Sequence, residues 1–443
     1  MKNPKSNESN LRNLSQFLYR MSHQYRRLIN YYAEMIDLSA YVAIPRVSMT
    51  EDNDPEAVLK DYETTLLQAQ KMNLKSQILK CLLVAWREDV FYGYVYEDDE
   101  AFFIMPLDGN FCKVSSVNYD GTLNYAFDFS YFRSNAILLE YWDKEFNSKF
   151  NKYSNDNKLR WQELDPNRTF CIKVNCEDST LVIPPFISLF EQIIDLIDLQ
   201  SIQSVKEELS VYKLLVARIE TLSGAKTADE FSVDLDTAIA FYNKIADALP
   251  EYVSSCISPL PIEPIDFKGT TTEDVDMVSN SMSNLFKSAG VAQILDNTKL
   301  SGSTAFEASI LCDSLMAIQN LLPQIEAWHN RYNAYTLGQV NSDINYIPVT
   351  PYTKKNQVEQ HLKAAQYGLP LKMELASLLN LDPLKAYSMA FLENECLKLH
   401  ETWKPLVSSH TQGANDSETG APEKDELSPE GEKTRDQGKN DKG

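Results

Sequence analysis

The clearest structural signal in the chain is residues 90–129, which read VFYGYVYEDDEAFFIMPLDGNFCKVSSVNYDGTLNYAFDF. Residues 90–96 are crowded with aromatic and β-branched side chains, which favour a β-strand. Residues 101–107 have a similar composition and predict the returning strand of a hairpin. The four acidic residues 97–100 then form the tip of that hairpin.

A second hairpin follows directly. Residues 112–117 and 123–129 flank an Asp-Gly pair, Asp120-Gly121, which suits a tight turn with positive φ. Residues 169–174 predict one more short strand. Together these segments predict a small antiparallel meander over residues 90–174.

Outside this region, helical spacing of apolar residues dominates. Apolar positions recur in steps of three and four, the period of one helix face. The predicted helices cover residues 11–38, 56–83, 186–222, 236–249, 270–290, 304–335 and, as two or three shorter pieces, 357–399. The fold class is therefore α+β and mostly helical.

The helix predicted over residues 304–335 is expected to bend. Its apolar stripe is continuous, but Pro323 lies within it. Proline lacks a backbone N–H and crowds the carbonyl four residues earlier, so it interrupts a helix. At 1.5 Å per residue the whole segment would extend roughly 48 Å.

Composition limits the function classes. The 443 residues are 43% hydrophobic, enough for two or three packed units. The 63 acidic and 42 basic residues give a formal net charge of -21, which argues against tight, sequence-reading DNA binding. A conduit through which DNA slides would also avoid strong phosphate contacts. An equally weighted interpretation is that the acidity only maintains solubility.

Cysteine usage and hydropathy indicate a protein made in a cytosol. The seven cysteines are scattered and never form a CxxC pair, so we expect reduced thiols in the core. The first ten residues, MKNPKSNESN, contain no apolar stretch of the kind found in signal peptides. No apolar run approaches the ~20 residues of a membrane span. Neither secretion nor membrane insertion is expected.

Sequence motifs of catalysis are missing. The chain contains no GxxxxGK[ST], GxGxxG, HExxH or GxSxG sequence. The five histidines are dispersed, and only His400 lies near a cysteine, four residues after Cys396. We therefore predict no enzyme activity, no cofactor and no metal site.

The acidic run 97–100 is the one alternative to that prediction. Clustered carboxylates can hold two magnesium ions for phosphodiester cleavage. Extended side chains alternate between faces, however, so four consecutive residues do not converge readily. A solvated turn is the preferred interpretation, and a metal-dependent phosphodiesterase is the competing one.

The polar loop before the long helix is a candidate nucleic-acid contact. Asn297, Lys299, Ser301 and Ser303 could touch phosphates without reading bases. The simpler interpretation is an ordinary turn between two helices.

Several stretches, taken in order, resemble the portal (connector) proteins of tailed bacteriophages. They are YRRLINYY (25–32), FYGY (91–94), FDFSYF (127–132), SPLP (258–261), STAFEAS (303–309) and QIEAWHNR (324–331). No single piece is specific, but their order and spacing over residues 11–407 are. The region 212–258 matches least well.

The resemblance implies a ring of identical subunits, usually twelve, around a channel for double-stranded DNA at one capsid vertex. The loop 296–303 then resembles the loop that faces the channel, with Asn297 and Lys299 nearest the DNA. The implied partners are the packaging terminase, the head–tail adaptor and the major capsid or scaffold proteins. The implied location is the virion, after assembly in the host cytoplasm. Another oligomeric head or baseplate protein is a further alternative.

The resemblance also implies a domain organisation. Its segments are a disordered N-terminus (1–10), a wing with the meander (11–211), a first stem and clip region (212–268), a second stem helix with the tunnel loop (269–303), a tunnel helix with C-terminal helices (304–407) and a disordered tail (408–443).

Overall fold

The computed structural model describes residues 6–50, 52–211, 213–218, 224, 232–249, 253–258, 272–291, 303–338 and 340–403. The chain divides into two units, Met1–Ala386 and Tyr387–Gly443. The predicted disordered tail, 408–443, and the first five residues lie outside the described residues.

Helices make up most of the described chain. They are α1 (Glu8–Met21), α2 (His23–Ala33), α3 (Pro55–Met72), α4 (Leu74–Glu88), α5 (Tyr131–Ser134), α6 (Lys144–Asn155), α7 (Phe190–Val211), α8 (Leu235–Ala248), α9 (Thr272–Ser288), α10 (Ser303–Met316), α11 (Leu322–Leu337), α12 (Lys354–Gln366), α13 (Lys372–Leu378), α14 (Pro383–Phe391) and α15 (Leu399–Thr402).

The strands are short. They are β1 (Tyr41–Pro45), β2 (Val90–Glu97), β3 (Phe102–Pro106), β4 (Cys112–Val117), β5 (Leu123–Asp128), β6 (Trp161–Glu163), β7 (Thr169–Lys173), β8 (Lys213–Arg218), β9 (Val253–Ser258) and β10 (Ser342–Tyr346). A mostly helical α+β fold is therefore confirmed.

The strands of the predicted meander form two sheets instead of one. One sheet has the order β3-β2-β7 and the other the order β4-β5-β6, and all their pairings are antiparallel. A single-turn helix, Gly109–Phe111, redirects the chain between β3 and β4. Composition and alternation predict strands, but they do not specify which strands pair. The prediction of a single meander was therefore wrong.

Strand β2 is buried on both faces because it separates two cores. Phe91 and Val95 belong to the large core, which α1, α2, α4, α7 and α11 help to form. Tyr92 and Tyr94 face the second core, which is mainly aromatic. The hydroxyl of Tyr125 donates to the carbonyl oxygen of Gly93 at 2.7 Å, which ties β5 to β2 across the aromatic core.

Two predicted helices are broken. The segment 11–38 is divided between α1 and α2 at Ser22, whose hydroxyl accepts from the backbone N–H of Tyr25. The segment 56–83 is divided between α3 and α4 at Asn73, which has φ 43°. Asparagine tolerates this left-handed conformation better than most residues. Helix α1 begins at Glu8, so residues 8–10 are not disordered as predicted.

The helix predicted over 186–222 is also shorter than expected. It ends at Val211, and residues 213–218 form β8, which pairs in parallel with β9. Leucine-rich segments such as KLLVAR suit either structure, and the pairing with β9 decides between them. The two-stranded sheet of β1 and β10, which joins segments about 300 residues apart, was not predicted.

The long helix after residue 303 is interrupted where proline predicted it. Helices α10 and α11 are separated by a π-helical turn, Ala317–Leu321, and Pro323 lies in the first turn of α11. No helix in the ranges given above is long and apolar enough to cross a membrane.

Candidate functional site

The predicted channel loop lies mostly outside the described residues. This holds for Asn297, Lys299 and Ser301, while Ser303 is the first residue of α10 and only its backbone is described. The structure does describe the two helices that flank the loop, α9 and α10. What supports them determines how firmly the loop is held.

Helix α9 leads into the loop from the large core. Leu285 and Phe286 are buried in that core, and so is Val291, which follows the helix. Gly290, at φ 80°, ends the helix in a conformation that favours glycine. The chain therefore enters the loop from a fixed point.

Helix α10 leaves the loop and docks near α2. Ile310 is buried, and the carboxylate of Asp313 accepts a hydrogen bond from the hydroxyl of Tyr31 at 2.8 Å. Burial raises the pKa of Asp313, and the bond from Tyr31 opposes that rise. The opposite face of α10 leaves Leu311 and Leu315 exposed.

The π-helical turn fastens the long helix to the edge of β7. Asn320 donates to the carbonyl oxygen of Val174 at 2.7 Å. The side chain of Gln324 accepts from the backbone N–H of Lys173 at 3.1 Å and donates to its carbonyl oxygen at 2.9 Å. One carboxamide thus satisfies both outward groups of an edge residue, as a neighbouring strand would.

Helix α11 continues these contacts along its length. Trp328 donates from its indole N–H to the carbonyl oxygen of Thr169 at 2.9 Å. Asn330 accepts from the N–H of Ile344 and donates to its carbonyl oxygen, each at 2.8 Å. Helix α11 is therefore bound to β7 and to β10.

A buried ion pair lies beside the Gln324 contact. The ammonium of Lys173 bonds the carboxylate of Asp89, and both side chains are fully buried. Asp89 also accepts from the backbone N–H groups of Asn175 and Ile183, at 2.9 and 3.3 Å. Burial raises the pKa of Asp89, while Lys173 and these N–H groups lower it. The pair fixes the end of β7 to the turn before β2.

In the acidic run 97–100, the carboxylates of Glu97 and Asp98 are engaged by hydrogen bonds within the protein. Glu97 accepts from Gln68 and Lys71, each at 2.8 Å, and from the hydroxyl of Tyr332. Asp98 accepts from two backbone N–H groups of its own turn. Within the described ranges, no group of three His, Cys, Asp or Glu side chains is placed to hold a metal ion. The geometry gives the phosphodiesterase alternative no support.

His329 and His361 each have a hydrogen-bonding partner in another part of the fold. His329 is buried and shares a 2.9 Å hydrogen bond between Nδ1 and the hydroxyl of Tyr346. Burial lowers its pKa to about 3, so it is neutral at pH 7. Nε2 of His361 lies 3.1 Å from the carboxylate of Glu374.

The cysteines fit the expected core role only in part. Those whose side chains the structure describes are free thiols, and the thiols of Cys81, Cys112 and Cys171 are buried. Cys176, Cys312 and Cys396 are exposed, which the sequence did not predict.

Sequence reasoning missed the polar side chains that hold α11. Asn320, Gln324 and Asn330 recur in steps of four and six along a helix that was analysed only for its apolar stripe. Their signal is three carboxamides in a helix that also carries buried residues. The partners of these side chains lie in distant strands, which one sequence does not identify.

Comparisons with known proteins gave matches among solved structures only. No family model and no curated protein matches the chain. One matching structure is the neck of an empty gene transfer agent (GTA) particle, with TM-score 0.47, 12% identity, and 85% of this chain and 94% of that chain covered.

Two further matches have lower TM-scores. The neck of a native GTA particle has TM-score 0.43 and 11% identity, with coverage of 85% of this chain and 94% of that chain. An HK97-family phage portal protein from Corynebacterium diphtheriae has TM-score 0.32 and 11% identity, with coverage of 75% and 94%.

Proposed function

We propose that this chain is the non-enzymatic subunit of a ring-shaped portal at one vertex of a tailed-phage capsid. The ring serves as the conduit for DNA packaging and ejection. It also provides the surface on which the packaging terminase and the head–tail adaptor dock. The ordered sequence resemblance over residues 11–407 supports this family.

The observation that carries the proposal is the interrupted helix α10–α11. In the resemblance it is the channel-side helix, and the loop 296–303 lies at its start. A loop that contacts moving DNA needs a rigid base, because force on the loop is otherwise lost in bending. Helix α11 provides one, since Gln324 and Asn330 bind it to β7 and β10.

The charge of the chain suits a channel for DNA. With a formal net charge of -21, the chain as a whole repels phosphate. Within residues 296–303, Lys299 is the one basic side chain and Asp296 the one acidic side chain. DNA contact at this loop would therefore be weak and independent of base sequence.

The region 212–258 is the proposed clip, which meets the motor and later the adaptor. Its described part contains β8, α8 and β9. Helix α8 exposes Leu235, Ile239, Phe241 and Ile245. An exposed apolar helix face of this kind is typical of an interaction surface.

The native mass and negative-stain image of the purified protein test this function. We expect a closed ring of identical subunits with an open centre. A protein that stays monomeric at all salt and protein concentrations would contradict the proposal. An assembly without a central opening, or one that does not close into a ring, would contradict the proposed channel.

A further inference from the structure

Side chains close most strand edges of the two three-stranded sheets and of the β1–β10 sheet. On β3, Gln77 accepts from the N–H of Ile104 at 2.8 Å and donates to the carbonyl oxygen of Phe102 at 3.0 Å. On β7, Gln324 bonds both backbone groups of Lys173. A backbone group bonded in this way is not available to another strand.

Both outer edges of the β1–β10 sheet are likewise bonded by side chains. Asn330 bonds both backbone groups of Ile344 on β10. On β1, the hydroxyl of Ser377 accepts from the N–H of Tyr41 and donates to its carbonyl oxygen, each at 2.7 Å. On β6, the ammonium of Lys149 bonds the carbonyl oxygen of Glu163.

Strand β4 differs from all of these. It pairs with β5 on one side, and no described side chain bonds its backbone on the other. Ser115, Ser116 and Val117 are exposed. The charge of Lys113 does not block pairing at this edge, because its ammonium lies across the sheet, 4.4 Å from the centre of the Trp161 ring. The outer edge of β4 is therefore free to pair.

The turn that follows β4 is held rigidly. The guanidinium of Arg331, which is almost completely buried, bonds the carboxylate of Asp120 at 2.9 Å and also bonds Thr122. Between the anchored residues and the strand, Tyr119 is 91% exposed. Because Arg331 holds this turn, its backbone loses little conformational freedom on binding, and tyrosine is enriched at binding hot spots.

The hairpin carries no charge that lacks a partner. Within residues 112–127 the charged side chains are Lys113 and Asp120, and both are engaged, with Trp161 and Arg331 respectively. A neutral edge on a strongly acidic chain favours an uncharged, apolar strand as its occupant.

We propose that the outer edge of β4 binds an extended, uncharged segment of another head protein, which adds a strand and covers Val117 and Tyr119. The inference rests on the proposed function. In this mode, main-chain hydrogen bonds supply affinity and side-chain contacts supply specificity. The register shift between Val114 and Ser116 bends the edge, so a flexible segment fits it better than a flat, folded sheet.

A second copy of this chain is a poorer occupant. Within those three sheets the other strand edges carry bonds from side chains, so among their strands two copies could pair only β4 with β4. That pairing is twofold and closes on itself. It does not propagate around a ring.

A photo-crosslinking amino acid at position 116, in place of serine, tests the contact in assembled head particles. We expect a cross-link to one segment of a different head protein, identified by mass spectrometry of the joined peptides. A cross-link to a second copy of this chain would overturn the proposal, and so would no cross-link. The same substitution at Tyr141, exposed in the same half of the chain, is the control site.

Hydrogen exchange with proline and threonine variants provides the second test. The N–H of Asn118 bonds Thr122, so the preceding N–H, of Val117, faces outward. Its exchange should slow by about tenfold or more when isolated rings become part of particles. Val117→Pro, which removes this N–H at an edge that tolerates proline, should lower incorporation into particles, whereas Val117→Thr should not.

The two proposals fail differently. If rings form but the Val117 amide exchanges equally fast in rings and particles, the β4 proposal is wrong and the portal proposal stands. If purified protein forms no ring, the portal proposal fails and the β4 proposal fails with it.

Discussion

Lys173 and Asp89 show how much depends on single buried residues. Their ion pair is fully buried, and Asp89 has φ 78°, a backbone conformation that few residues other than glycine adopt. Such a pair adds little stability in itself, because both charges lose their water. Removing one partner is costly, since the other charge remains buried.

Lys173→Met should therefore destabilise the protein strongly. We expect a loss of about 3–5 kcal/mol in the free energy of unfolding, because Asp89 keeps a buried charge with only backbone N–H groups to bond. Urea unfolding of the purified protein measures it. The double variant Asp89→Asn/Lys173→Met should recover part of the loss, since it leaves no charge. A single variant within 1 kcal/mol of the parent would contradict the argument.

Gln324→Leu tests the contact between α11 and β7. The leucine cannot bond the backbone N–H and carbonyl of Lys173, and unsatisfied groups of this kind cost about 1–3 kcal/mol. Gln319→Leu, in the π-helical turn but exposed, is the matched control and should change stability by less than about 0.5 kcal/mol. Equal effects of the two substitutions would mean that the Gln324 bonds are not specific supports.

At the scale of elements, Glu97 joins α3, β2 and α11. Burial alone would raise its pKa, but hydrogen bonds from Lys71, Tyr332 and Gln68 lower it below the ordinary 4.5. A carboxylate with a depressed pKa adds stability that is complete above the ordinary value. That stability is lost as the pH falls through the folded-state pKa.

Glu97→Gln should therefore flatten the acid side of the stability curve. At pH 7 we expect a loss of about 1–2 kcal/mol, from the charged bonds with Lys71 and Tyr332. Below pH 4.5 the difference between variant and parent should shrink. Thermal unfolding between pH 3 and 7 measures this, with Glu100→Gln, exposed on the same turn, as the control. A constant difference across that range would show that the charge of Glu97 does not matter.

The elements also show what a single sequence predicts. Strands β2–β5 and β7 were predicted to within two residues, because aromatic and β-branched runs are local signals. The interruption near Pro323 was predicted from the ring chemistry of one residue. Sheet membership, β8 and the β1–β10 pairing were not predicted, since each depends on a partner far along the chain. The Gln324 and Asn330 contacts were missed for the same reason.

At the scale of the whole molecule, the proposed ring multiplies the effect of one loop. In the proposed ring each subunit would contribute one Lys299, so that the ring would present a circle of ammonium groups to the DNA. The bonds of α11 to β7 and β10 do not involve this loop. Loop chemistry and ring formation should therefore be separable.

Lys299→Glu tests that separation. We expect rings of normal mass and shape, because the change lies in the loop predicted between α9 and α10. Particles should package or retain less DNA, because each subunit now repels phosphate where it attracted it. Packaged DNA per particle, measured after nuclease treatment, gives the result. Lys287→Glu, exposed near the end of α9, makes the same charge change outside the loop and should leave DNA content unchanged. Normal DNA content in Lys299→Glu particles would remove the loop from the channel, and an equal loss in both variants would assign the effect to net charge.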